Sequence, residues 1–271
     1  MKEQSRPLLT SALAAFAIAL LCSLLAASAV MAGEPSPSVA PDQVDDVFDI
    51  ANGEYKAGNY ESAVRLYEGL VSGSPLKTAE MYYNLGNAYF KLHKLGKAIA
   101  AYRRALRLAP RNEDIRANLT YVRNNAKDKI DRPKSTDALH EIFFFHYRVN
   151  PAEAEALFLG AYVLASLCGS AYLFWKRKLI RWATGVAVVL AVALGVNGLI
   201  HIHDTAHPRG AVVIADETSV HTGPADTYMV SFNLHDGTEL ELHTTGAEWS
   251  QVELADGRRG WIRQTDIEIV S

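Results

Sequence analysis

Cysteine is almost missing. Cys22 and Cys168 are the two in 271 residues, and each stands in an apolar run. No disulfide framework can be drawn from them, and burial as small apolar side chains is the expected fate of both. An oxidising compartment is allowed but not required. Cys22 follows a leucine rather than the small residue an acylation site needs, so lipidation is not expected.

Catalytic signatures are equally scarce. His140-Glu141 meets its next histidine at position 146, whereas a zinc-binding helix needs the two histidines four residues apart. Gly96-Lys97 would need a glycine where Lys91 stands to form a phosphate-binding loop, and no Gly-x-Ser-x-Gly elbow occurs. His201, His203 and His207, with Asp204 between them, come nearest to a metal set. They lack a cysteine or a fourth ordered ligand and read first as a helix end leaving lipid for water, which leaves them weak candidates. Neither an enzyme nor a cofactor is expected.

What is present begins with a repeat. Phe48, Asn52, Tyr55, Lys56, Ala63, Tyr67 and Pro75 fall on Tyr83, Asn87, Phe90, Lys91, Ala98, Tyr102 and Pro110 after a shift of 35 residues. A period of this size marks stacked helix-turn-helix units. Gly86 and Ala98 are small where two helices must cross closely, Tyr89, Tyr102 and Leu106 fill the remaining volume, and Pro110 stops the second helix. The run from Tyr82 through Pro110 resembles the tetratricopeptide repeat at nearly every signature position. In the first copy Ala51, Glu54 and Leu70 replace the glycine, tyrosine and third alanine. Two units are few for a continuous core. Ile115, Leu119 and Val122 form a single apolar stripe on an otherwise polar segment, as a capping helix requires.

Two uncharged runs follow, Ala156 to Trp175 and Trp182 to Ile200. Each is long enough to cross roughly 30 Å of hydrocarbon as a helix. Lys176, Arg177, Lys178 and Arg181 crowd the connection, so the positive-inside rule puts that loop in the cytoplasm and both flanking modules on the other side. Lys2 and Arg6 precede an apolar run to Ala32, which reads as an export signal, cleaved or retained as an anchor. After the second span, seven short β-branched runs alternate with turn signals, among them Asp236-Gly237 and Asp256-Gly257. That pattern predicts a small closed barrel. Val220-His-Thr-Gly-Pro, Glu248-Trp-Ser-Gln-Val and Asp256-Gly-Arg-Arg-Gly-Trp-Ile resemble the bacterial SH3-type (SH3b) domain, with Trp249 and Trp261 as a possible surface site or as packing.

The expected fold is multidomain: an all-α tetratricopeptide array, a two-helix transmembrane hairpin and a small all-β SH3-like barrel. Its boundaries are 1–32 for signal or anchor, 33–41 for a linker, 42–129 for the repeats and cap, and 130–153 for a juxtamembrane linker. The spans occupy 154–175 and 182–203 around a loop at 176–181, and the barrel 208–271. This order of parts resembles BatE, of the Bacteroides-aerotolerance (Bat) operon type. The export signal and the cation-rich loop predict a bacterial inner-membrane protein with both soluble modules in the periplasm, and the resemblance implies a role in stress or oxygen tolerance. The resemblance implies as partners other Bat proteins with von Willebrand A domains and a MoxR-type ATPase; nucleic acid is not expected as a partner outside the cytoplasm.

In the geometry of tetratricopeptide repeats, the first helix of each unit lines a concave face. The matched positions are Phe48, Asn52, Tyr55, Lys56, Tyr83, Asn87, Phe90 and Lys91. Here asparagine amides would hold an extended partner backbone and lysines an acidic group, without a structural duty of their own. The expected function is a membrane-anchored protein-interaction scaffold; the alternative is an envelope sensor reading peptidoglycan through the barrel. Charge adds one further expectation. Arg103 to Lys134 is basic and Pro208 to Ser271 acidic. Arg116, Arg123 and Lys127 could therefore meet Glu239, Glu241 and Glu253 in a weak, salt-sensitive contact.

Overall fold

The computed structural model describes residues 43–74, 77–130, 149–206 and 209–270. The expected export signal and the linker after it lie outside the described residues.

Five helices build the first module: α1 (Val44–Lys56), α2 (Tyr60–Gly73), α3 (Ala79–Lys91), α4 (Leu95–Leu108) and α5 (Glu113–Asn125). Their ends follow local chemistry. The Thr78 side chain accepts from the Met81 amide and the Asn112 side chain from that of Ile115, capping α3 and α5. Gly58 at φ 84° and His93 at φ 57° turn the chain out of α1 and α3. Lys94 stands at the N-cap of α4 and supplies no side-chain cap. The predicted close crossing is present, since a Cβ on Gly86 would lie 2.8 Å from the Tyr102 ring. Ala63, Tyr67, Leu70, Ala98, Tyr102 and Ala105 are buried in the core, and Ile115, Leu119 and Val122 cover its end as the cap stripe requires.

Helices α6 (Pro151–Trp175) and α7 (Lys178–Ala206) follow. Asn150 and Glu153 form a reciprocal capping box at the start of α6. The pair packs closely where Phe158 lies against Gly195. Elsewhere large apolar residues such as Leu167, Val189 and Leu199 face outward, as suits a lipid environment. Segments Ala152–Trp175 and Lys178–Ile200 are long and apolar enough to cross a membrane. The connection is tighter than the six residues expected: Lys176 and Arg177 alone separate the helices, and Lys178 and Arg181 belong to the first turn of α7.

The last module has strands β1 (Gly210–Val213), β2 (Glu217–His221), β3 (Val230–His235), β4 (Glu239–Thr245), β5 (Trp249–Glu253), β6 (Arg259–Arg263) and β7 (Ile267–Val270). They form one antiparallel sheet in the order β3-β2-β6-β5-β4-β1-β7. Every strand sends a residue into one apolar core, among them Val213, Val220, Leu234, Leu242, Val252, Ile262 and Ile267, so the sheet is rolled around it. Among the described residues no ladder closes β3 onto β7. Gly237 and Gly257 take φ near 90° in the two Asp-Gly turns, where a side chain would be strained. Val212 and Val270 point away from this core and are buried in that of the repeats.

The charge split is therefore spent in part on contact between the modules. Arg123 meets Glu239 as expected, at 2.6 and 2.8 Å. Three of the other expected partners are used otherwise. Arg116 donates to the Pro110 carbonyl, Lys127 meets His235, and Glu253 is held within the barrel by Arg259 and His243.

Candidate functional site

The face formed by α1, α3 and α5 carries a concavity of about 230 Å³. Tyr55, Asn87, Phe90 and Lys91 of the eight expected residues line it, joined by Tyr102 and, from the cap, Asn118, Tyr121 and Val122. Lys56 and Lys91 end α1 and α3 with exposed side chains, one repeat apart. Phe90 and Tyr121 pack edge to face at 5.6 Å, which carries the aromatic wall from the second repeat onto the cap. Tyr121 itself is 59% exposed. Its contribution escaped the repeat pattern because the cap has no counterpart in the 35-residue comparison.

The asparagines have a duty that sequence reasoning missed. The Tyr67 hydroxyl donates to Asn52 Oδ1 and that of Tyr102 to Asn87 Oδ1, both at 2.6 Å and both 15 residues apart. Asn84 Nδ2 also donates to Asn52 Oδ1 at 2.9 Å, and Asn118 Nδ2 to Asn87 Oδ1 at 3.0 Å. One amide oxygen thus ties each unit internally and to the next. Burial pushes the Tyr67 hydroxyl up to about 12 and that of Tyr102 upward as well. Both phenols remain proton donors, which fixes the oxygen of each amide toward the array. Asn87 Nδ2 is the group left for a ligand at the wall. Phe48 and Tyr83 pack on Tyr67 and Tyr102 and do not line the concavity. The expectation that the asparagines are structurally idle is therefore corrected.

On the barrel, Trp249 is largely buried, with the edge of His221 at 5.3 Å and the Arg263 guanidinium over its ring at 5.2 Å. Trp261 lies on the neighbouring strand, paired with Gln251. The apolar surface nearby belongs instead to Tyr228, Met229 and Val230, exposed by 49%, 79% and 53%. His221 fixes this loop by bonding the Tyr228 carbonyl through Nδ1 at 2.9 Å. Of the three histidines considered for a metal, His207 lies outside the described residues, and no cluster of three metal-binding side chains occurs among those described.

Comparison with known proteins agrees with both folded modules. Residues 79–112 match the family model of the tetratricopeptide repeat and residues 215–268 that of the bacterial SH3 domain. A stretch of 104 residues, 38% of this chain, is 29% identical to Protein CTR9 homolog of Arabidopsis thaliana. The chain spans about a tenth of that relative's length. Similar solved structures include PcrH from Pseudomonas aeruginosa, at 11% identity and TM-score 0.30, covering 59% of this chain and 96% of that one. The Yersinia enterocolitica type III secretion chaperone SycD, in complex with a peptide of the translocator YopD, is equally distant, at 11% identity and TM-score 0.30, covering 59% and 97%. The chain thus joins a tetratricopeptide array, two helices long and apolar enough to cross a membrane, and an SH3b module.

Proposed function

We propose that the chain is anchored in a bacterial inner membrane and holds an extended segment of another envelope protein along the concave face of its repeats. The observation that carries this reading is the open concavity walled by Tyr55, Phe90 and Tyr121, with Lys91 at its edge and Lys56 one repeat away. Aromatic walls give a partner chain buried area, and two cations favour an acidic or C-terminal carboxylate. The cations at the turn between α6 and α7 support placing both modules in the periplasm, on the positive-inside rule. The resemblance to BatE suggests the clients: Bat proteins with von Willebrand A domains and a complex served by a MoxR-type ATPase, acting in stress or oxygen tolerance.

Capture from detergent-solubilised native membranes tests this. Wild type should retain defined envelope proteins that Lys56→Glu/Lys91→Glu loses, and equal retention by the variant would sink the reading. The exposed Tyr228, Met229 and Val230 beside Trp249 favour a second reading, peptidoglycan binding by the barrel. Retention on purified cell wall that survives the lysine changes but is lost in Tyr228→Ala/Met229→Ala would select it.

A further inference from the structure

Helix α4 starts without a cap of its own, yet its first two amides are satisfied. The Asp236 carboxylate, 140 residues away in the β3–β4 turn, accepts from the Leu95 amide at 2.7 Å and from the Gly96 amide at 2.8 Å. The unpaired amides of a helix start favour an anion. The surroundings are shaped for the same contact. A Cβ on Gly96 would lie 1.9 Å from the Val213 carbonyl oxygen, so only glycine allows β1 to approach. Gly237 lies directly against Leu95, Ile99 and Ala126. A second anchor forms at the end of the cap: Asp128 accepts from the His235 amide at 2.8 Å and from the Thr238 hydroxyl at 2.7 Å. Arg104 completes the far side, donating to the Ile269 carbonyl at 2.7 Å and pairing with Glu268.

We propose that the outer side of α4 is a docking site built for the barrel of the same chain, with Asp236 supplying from that second module the cap that α4 lacks, so that repeats and barrel form one folding unit. The contact is not the weak ionic one that the charge split alone suggests. Exposed ion pairs contribute little, whereas this joint buries Val212 and Val270 in the helical core and satisfies backbone amides with a carboxylate. It also covers α4 laterally while leaving the α1–α3–α5 concavity open. The chain's own barrel is favoured over that of a second copy by tether length. Three residues separate the end of α7 from Gly210, and Gly210 already abuts Arg103. With Arg111 of the repeats paired to Glu153 in the first turn of α6, both modules are held at one end of the same helix pair, an effective concentration that a second copy does not match.

Hydrogen exchange on the full chain in nanodiscs, read by peptide, tests the joint. In wild type the first-turn amides of α4 should be protected. Asp236→Ala should speed their exchange by about tenfold or more, while peptides from β5 and β6 stay protected and show the barrel folded. Gly96→Ala approaches from the other side: it improves helix propensity yet should expose β1 and the 236–238 turn. Unprotected α4 amides in wild type, or unchanged exchange in both variants, would overturn the joint. A dimer by light scattering that Asp236→Ala converts to monomer would assign the contact to a second copy and overturn the intramolecular reading; a monomer in both forms supports it.

Discussion

Replacing Asn87 by leucine, a side chain of similar shape, should destabilise the repeats because two donors lose their acceptor at once. Tyr102 would keep a buried hydroxyl without the amide oxygen that now receives its proton, and Asn118 would retain only its 3.1 Å bond to the Tyr83 hydroxyl. A buried donor stripped of its partner costs about 1–3 kcal/mol, more than the roughly 0.5–1.5 kcal/mol that a satisfied bond contributes. Tyr102→Phe alone should cost less, because its ring still fills the crossing under Gly86 and Asn87 Oδ1 still accepts from Asn118. The double variant removes donor and acceptor together and should recover most of the loss, giving a coupling energy on the order of 1 kcal/mol or more. Thermal unfolding of the full chain in detergent, followed by far-ultraviolet circular dichroism, reads this as roughly 2–4 °C for each kcal/mol. Strict additivity of the two single changes, or an Asn87→Leu midpoint equal to wild type, would refute the amide's structural role and restore it to the ligand alone.

Gly86→Ala should lower the unfolding midpoint despite alanine's better helix propensity, since its methyl would press on the Tyr102 ring; the overpacking costs about 1–3 kcal/mol, and a raised midpoint would contradict the crossing. Lys56→Ala/Lys91→Ala should leave that midpoint within about 1 °C of wild type while abolishing client capture, because both side chains are exposed; lost folding would contradict it. Burial raises the Asp128 carboxyl, but hydrogen bonds from Thr238 and His235 outweigh this and hold it below its ordinary value near 3.8. Its stabilisation is therefore present above that value and disappears as pH falls through the lower folded one; a midpoint-against-pH curve should lose this acid limb in Asp128→Asn, and an unchanged limb would disprove the assignment. A reporter active only outside the cytoplasm should work after Lys134 or Ser271 and fail after Lys178, and the opposite pattern would invert the topology.

Period and composition made the repeats, the two apolar helices and all seven strands legible, because each depends on residues close in sequence. The tyrosine-to-asparagine bond was half visible: Tyr67 and Asn52 recur as Tyr102 and Asn87, but recurrence alone does not tell a ligand contact from an internal tie. Hydroxyl and amide oxygen meet only once helices of a unit cross, and that geometry decides the matter. Asp236-Gly237 was read correctly as a turn, for its glycine needs positive φ. The purpose of its aspartate was not readable, since the amides it accepts from lie 140 and 141 residues away. Gly96 shows the same limit. It fails as part of a phosphate loop on motif grounds, and its close approach to Val213 comes from another module.

The joint and the helix pair constrain each other. A docked barrel requires the chain before α6 and the chain after α7 to lie on one side of any membrane, which a single crossing forbids and a hairpin provides. Two contacts bring both modules to the same end of the pair: Arg111 of the repeats pairs with Glu153 in the first turn of α6, and Gly210, just after α7, abuts Arg103. Neither contact depends on counting lysines and arginines. The four cations at this turn, Lys176 and Arg177 in the link and Lys178 and Arg181 in the first turn of α7, then decide only which side that is. A substitution that frees the barrel should leave the reporter pattern unchanged, because the apolar spans and their flanking charge set topology. If Asp236→Ala or Gly96→Ala instead altered reporter activity after Ser271, docking would have to precede insertion of α7, and the two-helix anchor could not be treated as independent of the fold it carries.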